Sequence, residues 1–174
     1  MGENATPTPR IYVACLAAYN NGRLHGSWIN ADQSADEITR EIGAMLSRSP
    51  VAGAEEHAIH DFEGFGGVRV GEYSSAETVA ELAAFIVEHG DLGGMVLDHF
   101  GGALEEATEA LTERYFGEYQ HLADFIEESN SNVFEVPEAL RPYIDWKAMA
   151  HDAELSGDVF TIETGFQEVH VFSG

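Results

Sequence analysis

The stretch from Glu72 to Glu128 constrains this chain most, because it carries fourteen acidic residues and a single basic one, Arg114. Several of its carboxylates recur at helical spacing, as in the series Glu105, Glu109 and Glu113. Residues four apart share one face of a helix, where like charges destabilise the helix by about 0.2–0.5 kcal/mol per pair. A chain that leaves this repulsion uncompensated is expected to use the negative field itself.

The charge of the whole chain narrows the possible partners. The net charge is −23 over 174 residues, so direct binding to nucleic acid is disfavoured and basic partners are favoured.

Cys15 is the only cysteine, which excludes an intramolecular disulfide and favours a cytoplasmic location. No apolar run reaches the roughly 18 residues of a membrane span. Met1–Pro9 lacks the regions of a signal peptide and is expected to be a disordered tail.

The first part of the chain is typical of a small antiparallel sheet. Arg10–Ala18 is apolar and partly β-branched, which predicts a buried strand. Asn21-Gly22 predicts a tight hairpin turn, and His25–Asn30 then returns as the second strand. A third strand is predicted over Glu55–Phe62.

Two capping boxes predict the helices that follow strands of this sheet. Ser34 and Glu37 begin an amphipathic helix that should run to about Arg48. Ser74 and Glu77 are expected to begin a second helix in the same way, with Gly90 as the residue after its end and a shorter helical segment over 91–100.

The last part of the chain mixes helices with strands. Apolar spacing predicts one helix from Leu104 to Tyr115 and another from Tyr119 to Ser129. Asp145 is expected to cap a further helix that ends at Gly157. Period-two alternation over 158–172 then predicts a C-terminal hairpin. Strands followed by helices, and then helices with strands, indicate an α+β fold.

Two alternatives to an acidic binding surface come from the residues. His57 and His60 suggest a metal-dependent hydrolase, but residues three apart on a strand point to opposite faces, which suits chelation poorly. Cys15 lies in an apolar strand, where a thiol is usually buried and inert. The other alternative is an acidic adaptor or chaperone for basic DNA-binding proteins other than restriction enzymes. No sequence feature implies a metal or another cofactor.

The acidic surface itself has two interpretations. It is either the solvated face of a soluble or salt-adapted protein, or an imitation of the nucleic-acid backbone. Duplex DNA carries roughly one negative charge per 1.7 Å of axis, so carboxylates along a protein body can imitate it. Arg69 is the only basic residue from Ala52 to Glu113, which favours mimicry.

Four blocks of the sequence resemble the antirestriction protein ArdA family. Arg10–Asn30 is similar to the family's opening signature, and Glu55–Gly66 to its second signature. Arg114–Ser129 resembles the antirestriction motif, and Pro142–Phe172 resembles the family's ending. The blocks occur in order and together span residues 10–172.

The resemblance implies a fold, a partner and an activity. It implies an elongated molecule of three small domains, which we expect over residues 1–70, 71–112 and 113–174. It implies a homodimer, joined through the C-terminal domain, that imitates bent duplex DNA. The molecule would occupy the DNA-binding groove in the methyltransferase core of type I restriction–modification enzymes, without catalysis, and so protect incoming plasmids and conjugative transposons.

The expected site residues form two groups. The motif positions expected in core and dimer packing are Tyr115, Gly117, Tyr119, Ala123 and Phe125, with Glu127 also matching the motif. The carboxylates expected to imitate phosphates, assigned mainly from spacing and sign, are Glu72, Glu77, Glu81, Glu88, Asp91, Asp98, Glu105, Glu106, Glu109, Glu113, Glu118, Asp124, Glu127 and Glu128.

Overall fold

An apolar strand organises the first of two units in the computed structural model, which describes residues 7–174. This central strand, β1 (Arg10–Cys15), pairs antiparallel with β2 (Gly26–Asn30) on one side and β3 (His57–Glu63) on the other. Ile11 and Val13 of β1 are buried. The three predicted strands and their antiparallel pairing are confirmed.

The link between β1 and β2 differs from the prediction. Leu16–Asn20 forms a short helix, α1, so the strand predicted to reach Ala18 ends at Cys15. The side-chain amide of Asn21 donates to the carbonyl of Ala17 at 2.7 Å, and the Gly22 N–H donates to Tyr19 at 2.9 Å. Asn21 and Gly22 therefore close a helical turn, and the tight hairpin turn predicted there is wrong.

The start of the described chain is tied to this sheet. Pro9 is fully buried, and its carbonyl accepts a hydrogen bond from the Ala31 N–H at 2.8 Å. The prediction of a disordered tail over Met1–Pro9 is therefore wrong at Pro9. The first six residues of that predicted tail lie outside the described part of the chain.

Helix α2 (Ala35–Ser47) begins where its capping box predicts. The Ser34 hydroxyl accepts from the Glu37 N–H at 3.3 Å, and the Glu37 carboxylate accepts from the Ser34 N–H at 3.2 Å. These bonds satisfy N–H groups that a helix start leaves without partners. Ile38 and Met45 then bury the apolar stripe of the helix, as its spacing predicts.

Helix α3 (Ala76–His99) has the predicted apolar stripe, but its cap is shifted by one residue. The Ser75 hydroxyl, rather than that of Ser74, accepts from the Thr78 N–H at 3.2 Å, so the predicted capping box is wrong. Gly90 interrupts the helix with φ 63° and ψ −152°, which confirms a break at this position. The buried stripe consists of Val79, Leu82, Ala83 and Ile86.

The second unit, Glu105–Gly174, contains the other three-stranded antiparallel sheet, in which β6 (Glu168–Ser173) lies between β4 (Tyr115–Tyr119) and β5 (Val159–Gly165). A short 3₁₀ helix over Glu138–Tyr143 joins its second and third helices. The three α-helices are α4 (Leu104–Glu113), α5 (Leu122–Ser131) and α6 (Trp146–Ser156).

Helices α5 and α6 pack together and against this second sheet. The Asp145 side chain accepts from the Ala148 N–H at 3.0 Å, and Gly157 ends α6 in the left-handed conformation, as predicted. The predicted C-terminal hairpin, β5–β6, is also confirmed. The buried core between these elements consists of Leu122, Ile126, Ala150, Val159, Val169 and Val171.

Strand β4 was missed by sequence reasoning, which placed Tyr115 at the end of one helix and Tyr119 at the start of the next. Both predictions are wrong, because these residues pair with β6. Gly117 has φ 128° and lies at a bulge, a conformation that helical spacing does not reveal. The partner strand lies about fifty residues further along the chain, so no local pattern indicates the pairing.

The α+β class is confirmed, with one antiparallel sheet near each end of the chain and helices between them. Contacts separate the chain between Leu104 and Glu105. The division into three domains stays a prediction. Within residues 7–174, no helix is both long and apolar enough to cross a membrane.

Candidate partner-binding surface

The fourteen predicted carboxylates are all exposed, and they divide between the two units. In the first unit, Glu77, Glu81 and Glu88 follow one another at intervals of four and seven on α3, so they share the face opposite its buried stripe. Glu88 lies 4.0 Å from the Nε2 atom of His89. The other three predicted carboxylates of the first unit are Glu72, Asp91 and Asp98.

The densest group lies on α4 of the second unit. Glu105, Glu106, Glu109 and Glu113 are exposed, while Ala107 and Ala110 are buried on the other side of the helix. In the described part of the chain, no ion pair or hydrogen bond engages these four carboxylates. We call these four residues the α4 acidic face.

The placement of these acids opposes helix stability. A helix has a partial negative charge at its C-terminal end, where cations stabilise it and anions do the reverse. The last turns of α4 and α5 contain no basic residue, and Glu113 and Glu128 lie near these ends. Helix electrostatics therefore does not explain the position of Glu113, as expected for a carboxylate that serves an external partner. Glu128 differs, because it also contacts Tyr119 within the second unit.

Two acids of the predicted set, Asp124 and Glu128, have partners inside the second unit. The Asp124 carboxylate accepts from the His121 N–H at 3.0 Å at the start of α5. Burial raises the pKa of Tyr119, and the neighbouring Glu128 carboxylate raises it further. Asp124 therefore has a structural role in addition to its charge. Glu118 and Glu127 are exposed.

Basic residues do little to neutralise the second unit. Its sequence holds sixteen acids against three basic residues, Arg114, Arg141 and Lys147. The Arg114 guanidinium lies 5.6 Å from the centre of the Phe160 ring on β5. The only cation of the acidic stretch is thus held by an aromatic ring of the sheet.

The aromatic motif residues hold β4 and α5 together. Phe125 lies 5.0 Å from Phe116 and 5.3 Å from Tyr119, measured between ring centres. Tyr119, Ala123 and Phe125 also pack against the core of the second unit. The contacts of these side chains in the structure are those of packing residues.

A series of side-chain hydrogen bonds around a buried histidine, next to the motif residue Tyr115, was missed by sequence reasoning. His170 on β6 is 7% exposed, with Nδ1 2.7 Å from the Tyr115 hydroxyl and Nε2 2.9 Å from the Thr164 hydroxyl. Thr164 also donates to the Glu168 carboxylate at 3.2 Å. The period-two alternation of β6 predicts that His170 lies on one face of a strand. Nothing in the sequence indicates that its partners are Tyr115 and Thr164.

The residues of the hydrolase alternative are not brought together as a metal site. A bulge in β3 leaves both His57 and His60 exposed, and His60 lies edge-on to the Tyr19 ring at 5.0 Å. Over residues 7–174, no group of three or more His, Cys, Asp or Glu is placed to hold a metal ion. Cys15 is buried, as predicted, with its sulfur 3.3 Å from the Ser49 hydroxyl oxygen.

Together, the fold and the exposed carboxylates define an acidic protein of the α+β class. The antirestriction protein (ArdA) family matches residues 11–168, and the chain therefore belongs to this family. A comparison with curated proteins found no match. The match confirms the resemblance seen in the four sequence blocks, and the family is one of inhibitors.

Proposed function

We propose that this protein acts in the cytoplasm as a mimic of bent duplex DNA that occupies the DNA-binding groove of type I restriction–modification enzymes. Family membership supports an antirestriction role. The exposed carboxylates support the mechanism, because a DNA-binding enzyme would meet them with the Arg and Lys side chains that it uses for phosphates. Such inhibition would protect incoming mobile DNA.

The spacing of the α4 acidic face carries the proposal. Glu105 and Glu113 are eight residues apart, which is about 12 Å along a helix. Four carboxylates over that length give roughly one charge per 3–4 Å, close to the 3.4 Å per phosphate along one DNA strand. This helix face therefore has the linear charge density of a single strand of the duplex.

The lack of ion pairing at these carboxylates matters as much to the proposal as their number. Paired surface charges cancel at a distance, whereas no ion pair engages the four carboxylates of the α4 acidic face within residues 7–174. An uncancelled field steers a basic groove toward its partner and raises the association rate. Because the Debye length is about 10 Å at 0.1 M salt, this attraction weakens as salt rises.

We also propose that the protein acts as a homodimer joined through its C-terminal third. β4 is an edge strand of the second sheet, and the Phe116 side chain on it is 51% exposed. Exposed edges with apolar side chains are prone to pair with another chain. A closed two-fold pair is the commonest oligomer, and it would double the length of the acidic surface.

The test is competition with DNA for a type I methyltransferase. Labelled duplex carrying the recognition site is bound to the enzyme, and its displacement by this protein is followed across a salt series. We expect stoichiometric displacement that fades as salt rises. The key variant neutralises the α4 acidic face by replacing all four Glu with Gln.

A matched control separates the placement of charge from its total. Glu55, Glu56, Glu135 and Glu138 are exposed acids outside the predicted set, and replacing them with Gln changes the net charge equally. Exposed charges contribute about 0–1 kcal/mol each, so the α4 variant should bind about 10–100-fold more weakly at low salt. Equal losses in both variants would show that only total charge matters. Stronger binding to unrelated basic proteins would favour the adaptor alternative.

A further inference from the structure

A groove between α5 and α6 opens on the surface of the second unit, away from the α4 acidic face in sequence. Its cavity volume is about 490 Å³. Ile126, Met149, Ala153 and Val159 give it an apolar lining, and the Asp152 and Asp158 side chains add two acids. A concave surface that combines apolar side chains with a few placed polar groups is typical of a binding site.

Two exposed apolar residues follow Asn130 of the groove lining closely in the chain. Asn130 lines the groove, and its carbonyl accepts hydrogen bonds from the N–H groups of Val133 and Phe134 at 3.1 and 2.9 Å. Val133 is 73% exposed and Phe134 is 60% exposed.

The two acids of the groove, Asp152 and Asp158, favour a bound segment that carries positive charge. Asp158 accepts a hydrogen bond from the Ser156 hydroxyl at 2.8 Å, which fixes its carboxylate beside the apolar lining. No basic side chain lines the groove among the described residues. An apolar segment without positive charge would leave these two carboxylates unmatched as it displaced water around them.

We propose that this groove binds a segment of the restriction enzyme in which an apolar side chain is flanked by lysine or arginine. This inference rests on the proposed function and goes beyond charge mimicry. Duplex DNA offers its protein partners phosphates and base edges, but no apolar groove of this kind. The groove thus supplies a contact that the imitated DNA cannot make.

The contact differs from charge mimicry in its salt dependence. Attraction between exposed charges is screened by salt, whereas burial of apolar surface is not. Loss of an apolar contact should therefore lower affinity by a similar factor at every salt concentration. Loss of carboxylates from the α4 acidic face should matter less as salt rises.

The experiment compares two substitutions on α6 in the full chain. Met149 lines the groove and is 38% exposed, whereas Leu155 lies on the same helix outside the groove lining and is 73% exposed. Displacement of labelled duplex from a type I methyltransferase is measured for Met149→Ser and for Leu155→Ser across the salt series. We expect Met149→Ser to weaken displacement about five- to tenfold at each salt concentration and Leu155→Ser to change it less than about twofold.

A second pair of variants tests the groove independently of Met149. Ser156→Trp places a bulky ring at an exposed residue of the groove and should reproduce the loss even if Met149→Ser perturbs folding. Replacing Asp152 and Asp158 with Asn should weaken displacement mainly at low salt, because the expected partner is basic. Stronger displacement by this Asn variant would overturn the proposed charge of the partner.

The outcomes separate this inference from the proposed function. If the wild-type protein displaces duplex but Met149→Ser and Ser156→Trp do so equally well, only the groove inference fails. If wild type displaces nothing at low salt, the proposed function fails and the groove inference fails with it. Should the groove variants instead lose self-association in sedimentation, the groove joins two copies of this chain and the inference is overturned.

Discussion

Glu109 lies at the centre of the α4 acidic face and experiences most of its internal repulsion. It is four residues from both Glu105 and Glu113, and three from Glu106, so three like-charge pairs meet at this side chain. At about 0.2–0.5 kcal/mol per pair, these pairs destabilise the second unit by about 0.6–1.5 kcal/mol. Glu109→Gln removes all three pairs, and Gln has nearly the helix propensity of Glu.

The variant should therefore be more stable than the wild-type protein. A gain of 1 kcal/mol raises the Tm of a 60–100-residue domain by about 4–8 °C, so we expect a rise of roughly 2–12 °C for the second unit. Thermal unfolding followed by circular dichroism at low salt measures this shift. At about 1 M salt, where the Debye length is about 3 Å, the gain should shrink.

A graded control lies on α3 in the first unit. Glu81 has one acidic neighbour at this spacing, Glu77, so Glu81→Gln should give about a third of the gain. Displacement of DNA by Glu109→Gln should change little, because one exposed charge contributes only about 0–1 kcal/mol. An unchanged or lower Tm for Glu109→Gln at low salt would refute the reasoning, because it would mean that the carboxylate stabilises the folded unit.

Three further predictions concern the scaffold. Gly117→Ala forces a side chain into φ 128° and should destabilise the second unit by about 1–3 kcal/mol in chemical denaturation. Tyr115→Phe leaves Nδ1 of buried His170 without its hydroxyl partner and should lower the free energy of unfolding by about 1–3 kcal/mol, measured in the same way. The Ser34 hydroxyl lowers the pKa of Glu37, so the capping box stabilises the fold above about pH 4.3 and this stabilisation is lost as pH falls further. Ser34→Ala should therefore lower stability by about 1 kcal/mol at neutral pH and by less in acid, which denaturation at both pH values tests.

Elements with a local cause were predictable from the sequence. The helix that begins at Ser34 was predicted because its cap and its apolar stripe lie within a few turns of one another. The helix that ends at Gly157 has the same kind of signal, an Asp at its start and a glycine at its end. Such signals need no knowledge of the rest of the fold.

Elements that depend on distant partners were not predictable in this way. Tyr115 and Tyr119 have the spacing of a helix, but β6 supplies hydrogen bonds that make them part of a strand. Asn21 and Gly22 suit a tight turn equally well, yet bonds to Ala17 and Tyr19 end a short helix there. At Tyr115 and Tyr119 a tertiary pairing therefore decides the conformation. At Asn21 and Gly22 two local conformations suit the same residues, and bonds to residues three and four positions earlier accompany the one that forms.

Some features of the candidate site were likewise predictable from the sequence, whereas others required the fold. Exposure of the carboxylates followed from their polarity and spacing, because a charged side chain is almost never buried unless it is paired. The capping bond of Asp124 and the contact of Glu128 with Tyr119 required the fold. The groove beside Met149 also required it, since its lining comes from residues 126–159 on three elements.

The division between acids and motif residues affects how lost inhibition should be interpreted. Phe125 and Tyr119 pack β4 against α5, so their substitution perturbs the scaffold that carries Glu127 and Glu128. Among residues 7–174 no ion pair or hydrogen bond engages the carboxylates of the α4 acidic face, so their substitution changes charge and leaves packing intact. A motif variant can therefore lose inhibition without any motif residue touching the enzyme. Salt dependence and stability, measured on the same variant, are needed before a motif residue is assigned to the interface.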